Sequence, residues 1–288
     1  MSAVLAPARM PQRTLSGRTV VVLHAHPDDE AIFTAATMHR LARRGARVVL
    51  VTATAGELGP VLRPLRRNET LPGRRRAELE RSAAVLGVAR LVLLGHRDSG
   101  MAGWTDNAHP YALAAAPVDR VAGRLAALCE QEGAEALVHY DPRGIYGHPD
   151  HVAVHRVGVL AAQLAGTPRV LEATIDRDLL KRGIRAMGVL HLGRGIEVPP
   201  MADAYLPRGE ITHRVDVRAF TGAKRAAMAA HVSQAGGESA DSRTLGLLLR
   251  LPRPLFRALL GHEWFAERGA ARTLRPASTL FPAAEGAA

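Results

Sequence analysis

The stretch TVVVLHAHPDDE, at residues 19–30, decides how the chain is organised. It opens with an unbroken run of β-branched and aliphatic residues, which is typical of a strand buried on both faces of a sheet. Pro27 then fixes the backbone as the chain leaves the strand. Three acidic residues follow in the expected first turn of a helix, where negative charge suits the helix dipole. The stretch therefore predicts a buried parallel strand that runs directly into a helix.

The same alternation of strands and helices continues along the first part of the chain. Further strands are predicted at 47–59 (ending in a loop), 90–95 and 135–142, and helices at 31–45, 75–88, 117–133 and 150–165. Strands and helices that alternate at this spacing form βαβ units with right-handed crossovers. The predicted fold class is α/β, a Rossmann-like three-layer α/β/α arrangement around a mostly parallel sheet.

The rest of the chain predicts a smaller C-terminal α+β portion. Its predicted elements are strands at 169–175 and 210–217 and a helix at 220–234. The amphipathic segment 245–261 contains two prolines, and we interpret it as a helix pair packed on the domain. A helix lying on a membrane surface is the alternative for this segment.

No internal repeat or linker divides the sequence. We expect a flexible N-terminal tail at 1–17 and a single domain at 18–288. Within this domain, residues 18–165 form a core that carries the chemical motifs, and residues 166–288 form the C-terminal portion.

The composition limits what the protein can be. Of its 288 residues, 47% are hydrophobic and 23% are charged, which excludes a disordered chain and allows a substantial core. Cys129 is the only cysteine, so an intramolecular disulfide and a multi-cysteine zinc site are both excluded. Any metal must be bound by histidine, aspartate and glutamate.

The formal net charge of +11 comes almost wholly from arginine, since Lys181 and Lys224 are the only lysines. This bias is typical of a GC-rich genome, and an aromatic content of 4% is too low for a base-stacking surface. We therefore expect no nucleic-acid partner. The non-enzyme alternative is a basic α/β domain that binds nucleotides or nucleic acid, but it would need a glycine-rich loop where the chain reads HPDDE.

The sequence predicts neither a signal peptide nor a membrane span. Pro7, Arg9, Pro11 and Arg13 lie where a signal peptide needs an apolar core. The longest uncharged apolar runs are shorter than the roughly 20 residues of a spanning helix. We therefore expect a cytoplasmic protein.

Histidines and acids cluster after two of the predicted strands. The first strand ends in HAHPDDE at 24–30, and the fourth leads into DPRGIYGHPDH at 141–151. Because ligands bind beyond the carboxyl ends of the strands in an open parallel sheet, the two clusters can converge on one point. A set of His and Asp ligands with an open position describes a catalytic zinc site. A helix N-cap cluster would explain the acids alone, but not the histidines.

The motifs His26-Pro27-Asp28-Asp29-Glu30 and His148-Pro149-Asp150-His151 resemble the two signature motifs of the zinc-dependent N-deacetylases of the LmbE/PIG-L family. That family includes the deacetylases of mycothiol biosynthesis and mycothiol-conjugate amidase. The resemblance implies that His26, Asp29 and His151 bind Zn²⁺. It also implies that Asp28 is the general base, and that His148 stabilises the oxyanion and assists the leaving amine.

The chemistry of amide hydrolysis agrees with these roles. Three protein ligands leave zinc a position for water, whose pKa the metal lowers toward about 7. A neighbouring carboxylate that does not bind the metal, such as Asp28, can accept the proton. Asp150 could fix the tautomer of His148, as carboxylates behind catalytic histidines often do. The alternative for Asp150 is a helix N-cap.

Three further residues are candidates for substrate binding. Asp98 lies in the segment Arg97–Met101, which resembles the Arg-Asp-Ser-Gly-Met segment of the mycothiol-type branch, where the aspartate contacts sugar hydroxyls. Arg75 lies where that branch carries a substrate-contacting arginine, and Tyr146 could hydrogen-bond the reacting carbonyl. The alternatives are a turn residue for Asp98, a solvated arginine run for Arg75 and a packed loop aromatic for Tyr146.

The predicted function is a zinc-dependent hydrolase that removes the acetyl group from the amide nitrogen of an N-acetylglucosaminyl small molecule. A hydrolase similar to mycothiol S-conjugate amidase is the alternative, and a monomer or a homo-oligomer is left open. Late in the chain, His231-Val232-Ser233-Gln234 and Gly261–Phe265 resemble elements of family members, and Gln234 is expected to reach the site. Residues 170–230 do not match the mycothiol deacetylases.

Overall fold

A computed structural model describes residues 15–61, 63–189, 204–235 and 240–281 of the chain. Most of the predicted N-terminal tail lies outside these residues. The described part contains a seven-stranded sheet with the strand order β3-β2-β1-β4-β5-β7-β6. The strands are β1 (Thr19–His24), β2 (Arg47–Thr54), β3 (Arg90–His96), β4 (Ala136–Tyr140), β5 (Arg169–Thr174), β6 (His213–Asp216) and β7 (His262–Glu267).

The strand order reverses direction at β1. This strand pairs in parallel with β2 on one side and with β4 on the other, so that Val20 lies opposite both Val48 and Ala136. Parallel pairing continues from β2 to β3 and from β4 to β5. The loops that follow β1 and β4 therefore leave adjacent strand ends in different directions, and a crevice at such a switch point is where open α/β sheets bind ligands.

The helices are α1 (Asp29–Phe33), α2 (Ala35–Arg43), α3 (Leu71–Leu86), α4 (Val118–Glu132), α5 (Gly144–Gly147), α6 (Pro149–Leu164), α7 (Arg177–Val189), α8 (Thr221–Ala230), α9 (Ala240–Arg250) and α10 (Arg253–Leu260). Of these, α5 is a single irregular turn, because Ile145 and Tyr146 within it have non-helical backbone angles.

The sheet separates two hydrophobic cores. Because side chains alternate along a strand, Val20 and Val22 of β1 pack against α2, α3 and α8, while Val21 and Leu23 pack against α4 and α6. Every residue of β1 is buried, as its unbroken apolar run predicts. The predicted three-layer α/β/α fold is therefore confirmed.

The structure corrects several sequence-based boundaries. The predicted helix at 31–45 is broken at Thr34 into α1 and α2, and the one at 220–234 ends at Ala230, followed by a 3-10 turn at Val232–Gln234. The sequence analysis missed α7, and it also missed β7, which pairs antiparallel with both β5 and β6. Pairing between segments far apart in sequence supports β7, and a local pattern does not report such contacts.

A buried ion pair connects β7 to α8, and its carboxylate also contacts α2. The Nζ atom of Lys224 on α8 donates to Glu263 Oε1 at 2.7 Å, and both side chains are almost fully buried. The same carboxylate accepts the backbone N–H groups of Ala36 (3.1 Å) and Thr37 (2.8 Å) in the first turn of α2. The sequence element Gly261–Phe265 thus places a carboxylate that caps a helix, satisfying donors that the helix itself cannot pair.

The segment 245–261 forms the predicted helix pair, α9 and α10, which Pro252 separates. Leu245 and Phe256 anchor the pair in the core beside α8. Among the described residues, no helix combines the length and the apolar character that a membrane crossing requires.

Candidate active site

The loop after β1 places two candidate ligands at the switch point. His26 lies just beyond the end of β1, and Asp29 begins α1. Both side chains are buried, and the His26 backbone N–H donates to Asp29 Oδ2 at 2.9 Å. Between them, Asp28 has a φ of 111°, a left-handed conformation that non-glycine residues rarely adopt.

Three candidate ligand atoms, from the loop after β1, from α1 and from α6, face one another. Asp29 Oδ2 lies 3.3 Å from His26 Nδ1 and 3.4 Å from His151 Nε2. His151 is fully buried, and neither of its ring nitrogens has a hydrogen-bond partner among the described residues. A buried polar atom without a partner is costly, so these nitrogens indicate a ligand that the protein alone does not supply.

A buried His/Asp group at this place could hold a metal ion. One set whose donor atoms all lie within 4.8 Å of one another is His26, His148 and His151, and a second is His26, Asp98, His148 and Asp150. His26 and His148 belong to both sets. Asp29, which the sequence analysis named as a ligand, belongs to neither set, although its carboxylate lies beside both His26 and His151.

The carboxylate of Asp150 supports His26 rather than His148. Asp150 Oδ2 lies 3.0 Å from His26 Nε2 and accepts the backbone N–H of Ser99 at 3.0 Å, and the hydroxyl of Ser99 donates to its other oxygen. No hydrogen bond joins this carboxylate to the ring of His148 among the described residues. The sequence analysis expected His148 as the partner of Asp150. The structure gives His26 as the partner, because α6 directs the Asp150 side chain toward the loop after β1.

His148 is the residue that caps α6. Its Nδ1 accepts the backbone N–H of Asp150 at 3.2 Å, so the N-cap that the sequence analysis considered for Asp150 lies two residues earlier. Burial, together with the neighbouring His26, lowers the pKa of His148 to about 3. A neutral ring whose Nδ1 accepts a hydrogen bond carries its proton on Nε2.

Arg75 holds the carboxylate of Asp28. Its guanidinium donates to Asp28 Oδ2 at 3.1 Å, to the carbonyl oxygen of Pro27 at 2.6 Å and to that of Gly56 at 2.8 Å. A Cβ atom at Gly56 or Gly59 would approach the Arg75 guanidinium within 2.4 Å, so the loop after β2 needs glycine there. Despite this cation, burial raises the pKa of Asp28 to about 6. Arg75 is buried, not part of a solvated run.

Asp98 lies on the other side of His26, where its Oδ1 atom is 3.6 Å from His26 Nε2. Its carboxylate accepts the backbone N–H groups of Gly100 (2.8 Å) and Leu58 (3.3 Å), and its own N–H donates to Glu57. Burial opposes ionisation of Asp98, but the nearby His26 holds its pKa well below the ordinary value. Asp98 is thus both a turn residue and a charged neighbour of the candidate metal site.

Tyr146 lies over the candidate site from the loop between β4 and α6. The centre of its ring is 4.9 Å from that of His151 and 6.3 Å from that of His148. The preceding residue, Ile145, has a φ of 64°, a strained conformation for a β-branched side chain. Asp141 stabilises this turn by accepting the Ile145 N–H at 3.1 Å.

Known proteins share these features. The family model described as PIG-L: GlcNAc-PI de-N-acetylase matches residues 21–162, which include every candidate ligand. A relative from Streptomyces avermitilis named 1D-myo-inositol 2-acetamido-2-deoxy-alpha-D-glucopyranoside deacetylase is 36% identical over 290 residues, covering 90% of this chain and 96% of the relative. The chain belongs to the PIG-L family. The predicted family and the predicted class of enzyme, an N-deacetylase among the hydrolases, are therefore confirmed.

Solved structures share the fold of this PIG-L chain at low sequence identity. N,N'-diacetylchitobiose deacetylase from Pyrococcus horikoshii has a TM-score of 0.54 at 22% identity, covering 87% of this chain and 83% of its own. GalB, the 4-carboxy-2-hydroxymuconate hydratase from Pseudomonas putida KT2440, has a TM-score of 0.55 at 16% identity, covering 90% and 100%. Because a hydratase shares the fold, the fold alone does not select the reaction, and the site residues must carry that argument.

Sequence reasoning placed Glu30, the last acid of the first PIG-L motif, only in the first turn of a helix, where its charge suits the helix dipole. Its Oε1 atom lies 2.6 Å from Nε2 of His231, which is 201 residues away, and both side chains are fully buried. Burial opposes charge on both groups, yet their proximity raises the pKa of His231 and lowers that of Glu30. The sequence analysis noted His231 only as part of a segment that resembles a late element of family members, and this resemblance gave no indication of the contact with Glu30.

Gln234 lies near the loop that follows β2. Its amide nitrogen donates to Ser233 Oγ at 3.1 Å, and its oxygen lies 3.4 Å from where a Cβ atom of Gly59 would be. Gln234 therefore approaches the Arg75 side of the site, and no hydrogen bond to a candidate ligand joins it there among the described residues.

Proposed function

We propose that the chain is a zinc-dependent N-deacetylase that hydrolyses the acetamido group of an N-acetylglucosaminyl small molecule. The observation that carries the proposal is the position of Asp29 Oδ2 between His26 Nδ1 and His151 Nε2, at 3.3 and 3.4 Å, while neither ring nitrogen of His151 has a hydrogen-bond partner among the described residues. A divalent cation would satisfy these buried atoms together. The name of the Streptomyces avermitilis relative supports the choice of substrate class.

The donor chemistry fits zinc. Two imidazole nitrogens and one carboxylate are ligands that zinc accepts in catalytic sites with an open position. If His26 binds through Nδ1, its Nε2–H donates to Asp150 at 3.0 Å, which is the carboxylate–histidine–metal arrangement that orients ligands in zinc enzymes. In this role Asp150 acts through His26.

Zinc, when bound, supplies a Lewis acid that polarises the acetyl carbonyl and lowers the pKa of the attacking water. In our proposal Asp28 accepts the proton of that water. Its Oδ2 is held by Arg75 at 3.1 Å, which leaves Oδ1 to act as the base. Arg75 therefore orients the base, whatever contact it also makes with substrate.

His148 would stabilise the oxyanion by hydrogen bonding. Because its Nδ1 accepts the N–H of Asp150, its Nε2–H is the available donor. A fixed donor aimed at the developing charge lowers the barrier more than one that must reorient. The proton that Asp28 has accepted is then transferred to the nitrogen of the leaving amine, either directly or by way of His148.

Asp98, Arg75 and Tyr146 are the proposed substrate contacts. Asp98 lies within 4 Å of His26, on the rim formed by the parallel strands β1 and β3, so a sugar held there places its acetyl group near the ligands. The test compares Asp98→Ala with the wild type on an N-acetylglucosaminyl conjugate and on acetanilide. Loss confined to the sugar substrate supports this role, whereas equal loss on both indicates a turn residue.

The deciding experiment supplies the zinc-loaded protein with N-acetylglucosaminyl-inositol and measures the release of acetate and of the free amine. Acetate release that disappears in His151→Ala supports the proposal. Release from no N-acetylglucosaminyl substrate, with zinc bound, would overturn it. Cleavage of a mycothiol S-conjugate in place of acetate release would instead identify an amidase.

A further inference from the structure

The backbone of Asp28 needs support from its surroundings. Its φ of 111° and ψ of −29° lie in a region that side chains other than glycine rarely occupy. The Asp28 N–H donates to Glu30 Oε2 at 2.9 Å, and its carbonyl oxygen accepts the N–H of Ala31 at 3.0 Å. The carboxylate of Glu30 is thus the group that receives the one backbone donor of Asp28.

Glu30 is itself held from two directions. Its other oxygen accepts the hydroxyl of Ser82 at 2.5 Å and faces Nε2 of His231 at 2.6 Å. All three side chains are fully buried. The carboxylate cannot rotate away from Asp28 without losing both of these contacts, and each lost contact would leave a buried polar atom unpaired.

The helix α3 contacts both ends of Asp28. Ser82 reaches the backbone N–H of Asp28 through Glu30, while Arg75, two turns earlier on the same helix, binds its carboxylate directly. The Asp28 carboxylate is therefore held by Arg75 of α3. The Asp28 backbone N–H is held by Glu30, which Ser82 of α3 and His231 in turn contact.

The segment after α8 is anchored to the same helix. The N–H and hydroxyl of Ser233 donate to the Glu78 carboxylate on α3 at 2.9 and 2.6 Å. Because Glu78 lies one turn from Arg75 and one turn from Ser82, this anchor places His231 against Glu30. The segment after α8, which lies outside residues 18–165, thus completes the set of contacts that hold Asp28.

We propose that His231 is a positioning residue: through Glu30 it holds the backbone of Asp28 in the left-handed conformation that aims the Asp28 carboxylate at the reaction centre. This inference rests on the proposed function for the role of Asp28 as base. It assigns a task to the distal part of the chain that neither metal binding nor substrate contact requires. Only hydrogen-bond donation by His231 Nε2 is needed, whatever the charge of the ring.

The test compares His231→Leu with His231→Gln in the full-length, zinc-loaded protein. Glutamine keeps an N–H donor at about the reach of Nε2, whereas leucine fills the space without a donor. We expect His231→Leu to lower kcat by about 10²-fold, the effect of misplacing a catalytic group by about 1 Å, with unchanged KM and zinc content. His231→Gln should restore most of the lost kcat.

The control is His213→Leu. His213 is a similarly buried histidine on β6, with its Nε2 atom 3.7 Å from Glu267, at the far edge of the sheet. We expect its loss to change the melting temperature but not kcat. If His231→Leu keeps wild-type kcat, if leucine and glutamine lower it equally, or if zinc is lost in proportion to activity, the inference is wrong.

Crystal structures of the wild type and His231→Leu separate this inference from the proposed function. We expect Asp28 at a φ near 111° in the first and in an ordinary conformation in the second. An unchanged Asp28 backbone overturns the inference even if the wild type is an active deacetylase. A released backbone supports the positioning contact even if no deacetylation is found, in which case the proposed function alone fails.

Discussion

Two buried clusters of ionisable side chains lie at the N-termini of α1 and α2, and they differ in how completely the protein pairs them. At the start of α2, Glu263 receives Lys224 and the N–H groups of Ala36 and Thr37. At the start of α1, both ring nitrogens of His151 lie buried without a hydrogen-bond partner among the described residues. A cluster that the chain completes by itself leaves no buried polar group for a ligand to pair, whereas one left incomplete indicates a bound ligand.

Removal of a candidate ligand from the incomplete cluster should cause the greatest loss of function. We expect His151→Ala to lose both bound zinc and all detectable acetate release, because Asp29 and His26 alone do not complete a catalytic zinc site. Elemental analysis and an acetate assay measure the two effects. Full zinc occupancy in this variant would show that the unpaired nitrogens are not ligands.

The next largest effect separates the base from the ligands. Asp28→Asn keeps the size of the side chain but cannot accept the proton, so kcat should fall by about 10²–10⁴-fold. Zinc content should remain that of the wild type, because Asp28 contacts Arg75 and not the ligand atoms. Near-normal turnover in Asp28→Asn would mean that another group is the base.

A smaller effect is expected from the carboxylate behind His26. Asp150→Ala removes the partner of His26 Nε2 and leaves the ligands in place. Zinc affinity should weaken about 10–100-fold, the usual effect of losing such a partner. Competition with a zinc chelator measures the affinity. An unchanged affinity would show that Ser99, not His26, is the important partner of Asp150.

The complete cluster should have the smallest effect on activity and a large effect on stability. Lys224→Met leaves Glu263 buried without its cation, which should cost about 3–5 kcal/mol of unfolding free energy. Chemical denaturation measures this loss, and kcat at a temperature where the variant is folded should match the wild type. A large fall in kcat without loss of stability would remove the distinction between the two clusters.

Local patterns in the sequence were sufficient to predict the central sheet and the candidate ligands. The β-branched and aliphatic run at 19–25 predicted β1 because such a run is typical of a strand that is buried on both faces. In the structure every residue of β1 is buried. The convergence of the two histidine motifs followed from the rule that parallel strands open their carboxyl ends on one edge. The resemblance to the PIG-L family then indicated N-deacetylation as the reaction that these residues catalyse.

Side-chain partners, in contrast, were decided by the tertiary structure. The sequence paired Asp150 with His148 because the two are close in the chain, whereas α6 turns the carboxylate toward His26, more than a hundred residues away. The sequence left a solvated arginine run as the alternative for Arg75, whereas the structure buries its guanidinium against the glycines of the loop after β2.

The distal part of the chain shows the same limit most clearly. The alternation of strands and helices, and the histidine motifs after two of the strands, could be predicted from the sequence because both are properties of neighbouring residues. The pairing of β7 in the sheet and the contact between His231 and Glu30 could not, since they depend on packing between segments about 90 and 201 residues apart. Contacts at that separation form only when the whole chain is folded, and no local period or motif spacing records them.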